Sequence, residues 1–214
     1  MKKLLIAALL FSGISLKAQH DISTDVLGFA FSKYGIGYDY LLNSNSSIGI
    51  NFNFASDNMF ADGKSLYGDV DEYSEMNIIP EYKFYLTPNK GNDGIYFGIY
   101  GKYRSSNAKN NNFAYTDPND ANNLIFDKTD VSTSAFGLGV LAGYKWKTAG
   151  ALFFEATFGI GKFMVNNVNY SNSIAEDLDD KLFNEDDYIP FIGNELPVDL
   201  RLALKIGIRI GSSK

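Results

Sequence analysis

Residues Val198–Ile210 read VDLRLALKIGIRI. Val198, Leu200, Leu202, Leu204, Ile206, Ile208 and Ile210 are aliphatic, and Asp199, Arg201, Ala203, Lys205, Gly207 and Arg209 between them are charged or small. Side chains alternate across a strand, so this spacing puts every aliphatic group on one face. A helix would scatter the same residues around its whole circumference. Two environments accept such a strand. In a soluble barrel or sandwich the aliphatic face turns into the core and the charges meet water. In a membrane barrel the aliphatic face meets lipid and the charges turn into a polar interior. Export of the chain and repetition of the pattern decide between them.

The pattern repeats. Residues 34–42, 48–54, 77–86, 95–104, 135–146 and 151–163 each alternate an apolar face with one of glycine, amide or charge. Residues 21–31 are rich in strand formers without a clear face, which makes about eight strands in all. Each is roughly ten residues long, the length a tilted strand needs to cross a bilayer. Connections 43–47, 87–94 and 147–150 are short, whereas 57–75, 105–134 and 164–196 are long and polar. Short turns at one end and long loops at the other are the asymmetry of outer-membrane barrels. Tyr34, Tyr103, Tyr144, Trp146 and Phe163 fall near strand ends, as an interfacial aromatic girdle requires. Pro80 lacks a ladder donor and is the one mild objection to a regular strand.

The first 19 residues, MKKLLIAALLFSGISLKAQ, have the three parts of a secretory signal: two lysines, a short apolar run, and small residues near Ala18. The expected division is a signal peptide over 1–19 and one barrel domain over 20–214. Loss of Lys2, Lys3 and Lys17 deepens the formal charge of −6, which excludes nucleic acid as a natural partner. There is no cysteine, hence no disulfide, thiol nucleophile or cysteine metal site. No cofactor is expected.

The stretches IPEYKFYL at 79–86, YFGIYGKY at 96–103 and SAFGLGVLAGYKW at 134–146 carry a family likeness. The layout resembles the small eight-stranded outer-membrane barrels of the OmpA/OmpX type. It is more closely similar to the uncharacterised outer-membrane barrel family of Gram-negative bacteria with a glycine-rich sixth strand. That resemblance implies an all-β, antiparallel, up-and-down transmembrane barrel in the cell outer membrane. It also implies contact with outer-membrane lipid and lipopolysaccharide, insertion by the outer-membrane assembly machinery, and a monomer. One departure is the end of the chain: such barrels usually close on an aromatic residue, and here Ile210 is followed by Gly211–Ser212–Ser213–Lys214.

Barrel enzymes of this size set a histidine beside a serine, and the sole histidine, His20, falls at the start of the mature chain. A base for a serine nucleophile is therefore missing, and the expectation is a non-enzymatic protein. The inward charges form the stronger constellation: Asp39, Glu81, Glu155 and Asp199 against Lys83, Lys102, Arg104, Lys145, Arg201, Lys205 and Arg209. An eight-stranded barrel is only wide enough for its own side chains. Unpaired charges there would cost several kcal/mol each, so a salt-bridged plug is expected, with Lys205 or Arg201 as the partner of Glu155. The alternative is a narrow anion path, favoured by the basic excess of seven to four. The acidic loops are a second candidate: Glu176, Asp177, Asp179, Asp180, Glu185, Asp186 and Asp187 are dense enough to hold a divalent cation, or simply to be solvated. The role so implied is structural or surface-interactive. The competing reading is a small pore or a ligand-binding barrel, including a soluble lipocalin-like carrier.

Overall fold

The computed structural model describes residues 19–29, 33–55, 72–117, 120–175 and 198–211. Eight strands follow one another in chain order: β1 (His20–Asp25), β2 (Lys33–Asn43), β3 (Ser46–Ala55), β4 (Glu72–Tyr85), β5 (Gly94–Asp117), β6 (Asp120–Lys147), β7 (Leu152–Tyr170) and β8 (Val198–Ile210). Every neighbour is antiparallel, and β8 closes on β1, so the sheet is a barrel without an open end. One helical turn, α1 (Val26–Phe29), interrupts the pattern.

The alternation seen in β8 holds in space. Leu200 and Leu202 are 62% and 67% exposed, while Asp199, Arg201, Ala203, Lys205 and Arg209 are buried. The same inversion runs around the ring. Phe52, Phe84, Phe97, Ile99, Val140, Trp146, Phe154 and Phe158 all point outward, and the buried set is mostly charged or aromatic. A soluble barrel would do the opposite. Tyr34, Tyr103, Tyr144 and Trp146 are exposed on the outer face, where a girdle requires them. No described helix is long and apolar enough to cross a membrane, which leaves crossing by strands untouched.

Pro80 sits on the outer face, and the β4–β5 ladder skips it without losing register: Ile78 pairs with Tyr103 and Glu81 with Tyr100. The objection to that strand is met by a gap of two residues, Ile79 and Pro80, in one ladder.

Four expectations need correction. Residues 21–31 do not form one strand. The Asp25 carboxylate accepts the Leu27 and Leu204 amides, both at 3.1 Å, so it caps α1 and pulls the chain out of the sheet. Within the expected loop 105–134, residues 105–117 and 120–134 are instead the continuation of β5 and β6, which pair from Gly94–Lys145 up to Asp117–Asp120. β7 likewise runs on through 164–170 and β4 starts as early as Glu72. Above the lipid both faces meet water, so these segments carry no apolar periodicity to read. Finally, Phe163 is 2% exposed and points inward, because it keeps the parity of Phe153, Glu155, Thr157, Gly159 and Gly161; the register shift between Phe136 and Gly137 comes only after it, at Met164, and turns Val165 outward.

Candidate functional site: the charged lumen

Room for the lumen's contents comes from glycines opposite aromatics. Tyr96 pairs with Gly143, Tyr100 with Gly139 and Phe153 with Gly207, and a Cβ at any of these glycines would collide with the ring across from it. The glycine-rich β6 is thus a groove in which Tyr96 and Tyr100 lie flat, with Ile79, Tyr85 and Leu141 packed beside them. The charged groups are held against this aromatic floor.

At the short-turn end Arg209 forks onto Asp21, Nε to Oδ1 at 2.6 Å and Nη2 to Oδ2 at 2.7 Å. The same guanidinium donates to the carbonyls of Gly91 and Asn92, drawing the β4–β5 turn over the mouth. Asn92 is 1% exposed and its amide donates to Ser44 O at 2.8 Å, which ties this turn to the β2–β3 turn. Asp21 also holds Lys145 at 2.7 Å, and Lys145 lies 4.3 Å over the Phe153 ring.

One layer further in, Glu155 and Lys83 form the centre. The Lys83 ammonium lies 2.8 Å from Glu155, 3.0 Å from Asp39 and 3.4 Å from Glu81. Glu155 also meets Lys145 at 3.3 Å and accepts the Tyr96 hydroxyl at 2.9 Å. Arg201 pairs with Glu81, which also accepts from the Asn51 amide. Lys205 donates to Asn51 Oδ1 at 2.7 Å and stands 3.9 Å from Glu81 and 4.0 Å from Glu155.

Toward the loop end Asp199 accepts from Lys102 at 2.6 Å and from the Tyr100 hydroxyl at 2.8 Å. Arg104 stacks 4.7 Å from the Phe163 ring and forms no ion pair among the described residues. At the rim Glu75 takes Lys33 at 3.0 Å, with Tyr73 and Asn77 also donating to it.

All eleven charges expected inside thus point inward, and ten of them join ion pairs. Two inward carboxylates were missed, Asp21 and Glu75. The first lay in a stretch without a clear face, the second in what read as a loop. Asp21 offsets part of the basic excess, whereas Glu75 is matched by Lys33 at the rim. For Glu155 the expected Lys205 stands directly across in register and pairs with it at 4.0 Å, but Lys83 and Lys145, which parity could not name, lie closer at 2.8 and 3.3 Å, while Arg201 serves Glu81 instead. The acidic set Glu176, Asp177, Asp179, Asp180, Glu185, Asp186 and Asp187 lies outside the described residues. Among the described residues no group of acidic or histidine side chains could hold a metal. His20 sits at the short-turn rim, its Nδ1 2.6 Å from the Tyr38 hydroxyl.

An antiparallel ring that is apolar outside and ion-paired within defines a small β-barrel of the outer-membrane type. The family profile described as "Protein of unknown function (DUF3575)" matches residues 4–189, and the chain belongs to that family. Among solved structures it is similar to surface protein A of Neisseria (11% identity, 91% of this chain and 93% of that one, TM-score 0.41). It is also similar to a major outer membrane protein of Thermus thermophilus (17%, 90% and 99%, TM-score 0.40). A third is CarO of Acinetobacter baumannii (11%, 93% and 98%, TM-score 0.40). Comparison with curated protein sequences finds no significant match.

Proposed function

We propose that this chain is a monomeric, non-enzymatic barrel of the cell outer membrane, closed to ions, whose work is structural or done by its outer surface and loops. The observation that carries the reading is the ion-paired lumen. Glu155, Lys83, Asp39, Lys145 and Asp21 form an unbroken buried chain, and Arg209 fastens a turn across one mouth. A water path would hydrate these groups; here they find their partners in one another. With Asp21 counted, the basic excess that favoured an anion path shrinks, and Glu75 at the rim is matched by its own Lys33. The exposed aliphatic and aromatic band argues against a soluble carrier. Residues 1–19 serve in this reading as an export signal, and the mature chain begins at or beside His20.

The test is a refolding series with the mature chain. It should need detergent, float with liposomes, migrate faster unboiled than boiled on a gel, and give no steady conductance in planar bilayers. A detergent-free soluble monomer would sink the membrane reading; stable ion-selective channels would sink the closed lumen.

A further inference from the structure

Above the apolar band the outer wall of β4–β7 changes character in register. One cross-strand row is Ile78–Tyr103–Phe136–Val165, all apolar or aromatic. The next outward row is Met76–Ser105–Ser134–Asn167, and the one after it Ser74–Asn107–Ser132–Asn169. Above that, Glu72 faces Lys109, their charged groups 2.7 Å apart. Four strands therefore present a sheet face of hydroxyls and carboxamides that begins where the lipid-facing residues stop. Ser74, Asn107, Ser132 and Asn169 make no side-chain hydrogen bond to other described residues, so their donors and acceptors face outward. A depression of about 370 Å³ lies on this face, lined by these four with Lys109, Asp130 and Ser171.

Depth identifies the occupant. The serine and asparagine row lies four residues beyond Phe136, about 13 Å along the strand and less after tilt. At a tilt of roughly 35–45° that is about 9–11 Å along the membrane normal, just beyond the roughly 5–7 Å that headgroups add to each side of the hydrocarbon, the level at which a glycolipid's sugars lie. Charge refines it. Lys109 is paired with Glu72, and Asp130 is the remaining charge, so the site does not attract phosphate. Neutral groups that both donate and accept match sugar hydroxyls.

We infer that this four-strand face binds the uncharged saccharide of an outer-leaflet glycolipid, with Asn107 and Asn169 as its principal hydrogen-bonding groups and Tyr103 at the boundary with the acyl chains. The inference rests on the membrane reading above, with the long-strand end outward.

The probe is the core oligosaccharide released from purified lipopolysaccharide by mild acid, free of acyl chains, then dephosphorylated and carboxyl-reduced so that it is uncharged, titrated calorimetrically into the full mature chain in detergent. Lipid A without saccharide is titrated in parallel. The parent should bind the oligosaccharide, and Asn107→Ala with Asn169→Ala should weaken it about tenfold, the worth of roughly two modest hydrogen bonds. Asn123→Ala, exposed farther along the hairpin, should bind as the parent does. Unboiled gel mobility identical to the parent's establishes that the variants fold. Equal binding by parent and double variant, or binding of lipid A alone, overturns the inference. A parent that floats with liposomes yet ignores the oligosaccharide overturns it while leaving the membrane reading intact. A chain that does not float overturns both.

Discussion

Replacing Glu155 with Gln removes a charge at the most connected point of the lumen. The carboxylate lies 2.8 Å from Lys83, 3.3 Å from Lys145 and 4.0 Å from Lys205, and it accepts from the Tyr96 and Thr157 hydroxyls. Breaking a buried pair by deleting one partner costs about 3–5 kcal/mol, because the other charge is left uncompensated. Here the compensation is partial. Lys83 keeps Asp39 and Glu81, and Lys145 keeps Asp21 and Asp39. The expected loss is therefore at the low end, about 3 kcal/mol. Of the three cations around Glu155, Lys205 is the most loosely held, its carboxylates at 3.9 and 4.0 Å, so it becomes the surplus charge. Glu155→Gln with Lys205→Met should recover about 1–2 kcal/mol, a coupling within the range of contacting residues. Urea unfolding in detergent, followed by the fluorescence of Trp146, the only tryptophan and half-exposed on the outer face, measures all four corners of the cycle. Glu155→Gln within ~0.5 kcal/mol of the parent, together with an additive double variant, would refute the ion-paired plug.

Leu204→Arg places a cation on the lipid face and should cost about 2–4 kcal/mol near mid-bilayer, whereas Ala203→Ser, pointing inward, should be tolerated; heat-modifiable mobility ranks the two. The reverse order would mean the faces are exchanged. Arg209→Gln should free the β4–β5 turn from its Gly91 and Asn92 anchors, and the Asn92 amide should then exchange with solvent faster than in the parent while central strands are unchanged. If residues 176–187 hold a divalent cation, calcium should slow proteolysis there, and Asn at Asp179, Asp180, Asp186 and Asp187 should abolish the protection. Equal cleavage with calcium and with chelator would leave a solvated loop. At the hairpin base, Glu72 hydrogen-bonds Lys109 and raises its ammonium above the usual value, but both groups are exposed, so Glu72→Gln should leave the unfolding midpoint unchanged.

The sequence by itself determined the inside-out character of this protein. Period-two alternation is a local property of a strand, so VDLRLALKIGIRI and its counterparts announced which residues face outward and which inward before any pairing was known. The inward positions of Glu81, Lys83, Lys145, Glu155 and Arg201 follow from parity alone. Which charge meets which was decided only by the tertiary structure. Lys83 and Glu155 stand 72 residues apart on strands that never touch, and they meet because closing the ring brings opposite walls within a side chain's reach. The early end of β1 depends on an Asp25 carboxylate capturing an amide 179 residues away, which no local pattern encodes. The extensions of β4, β5, β6 and β7 above the band are equally invisible in the sequence. With water on both faces their residues need not alternate, and only the neighbouring strand, already held in register by the barrel below, makes them sheet.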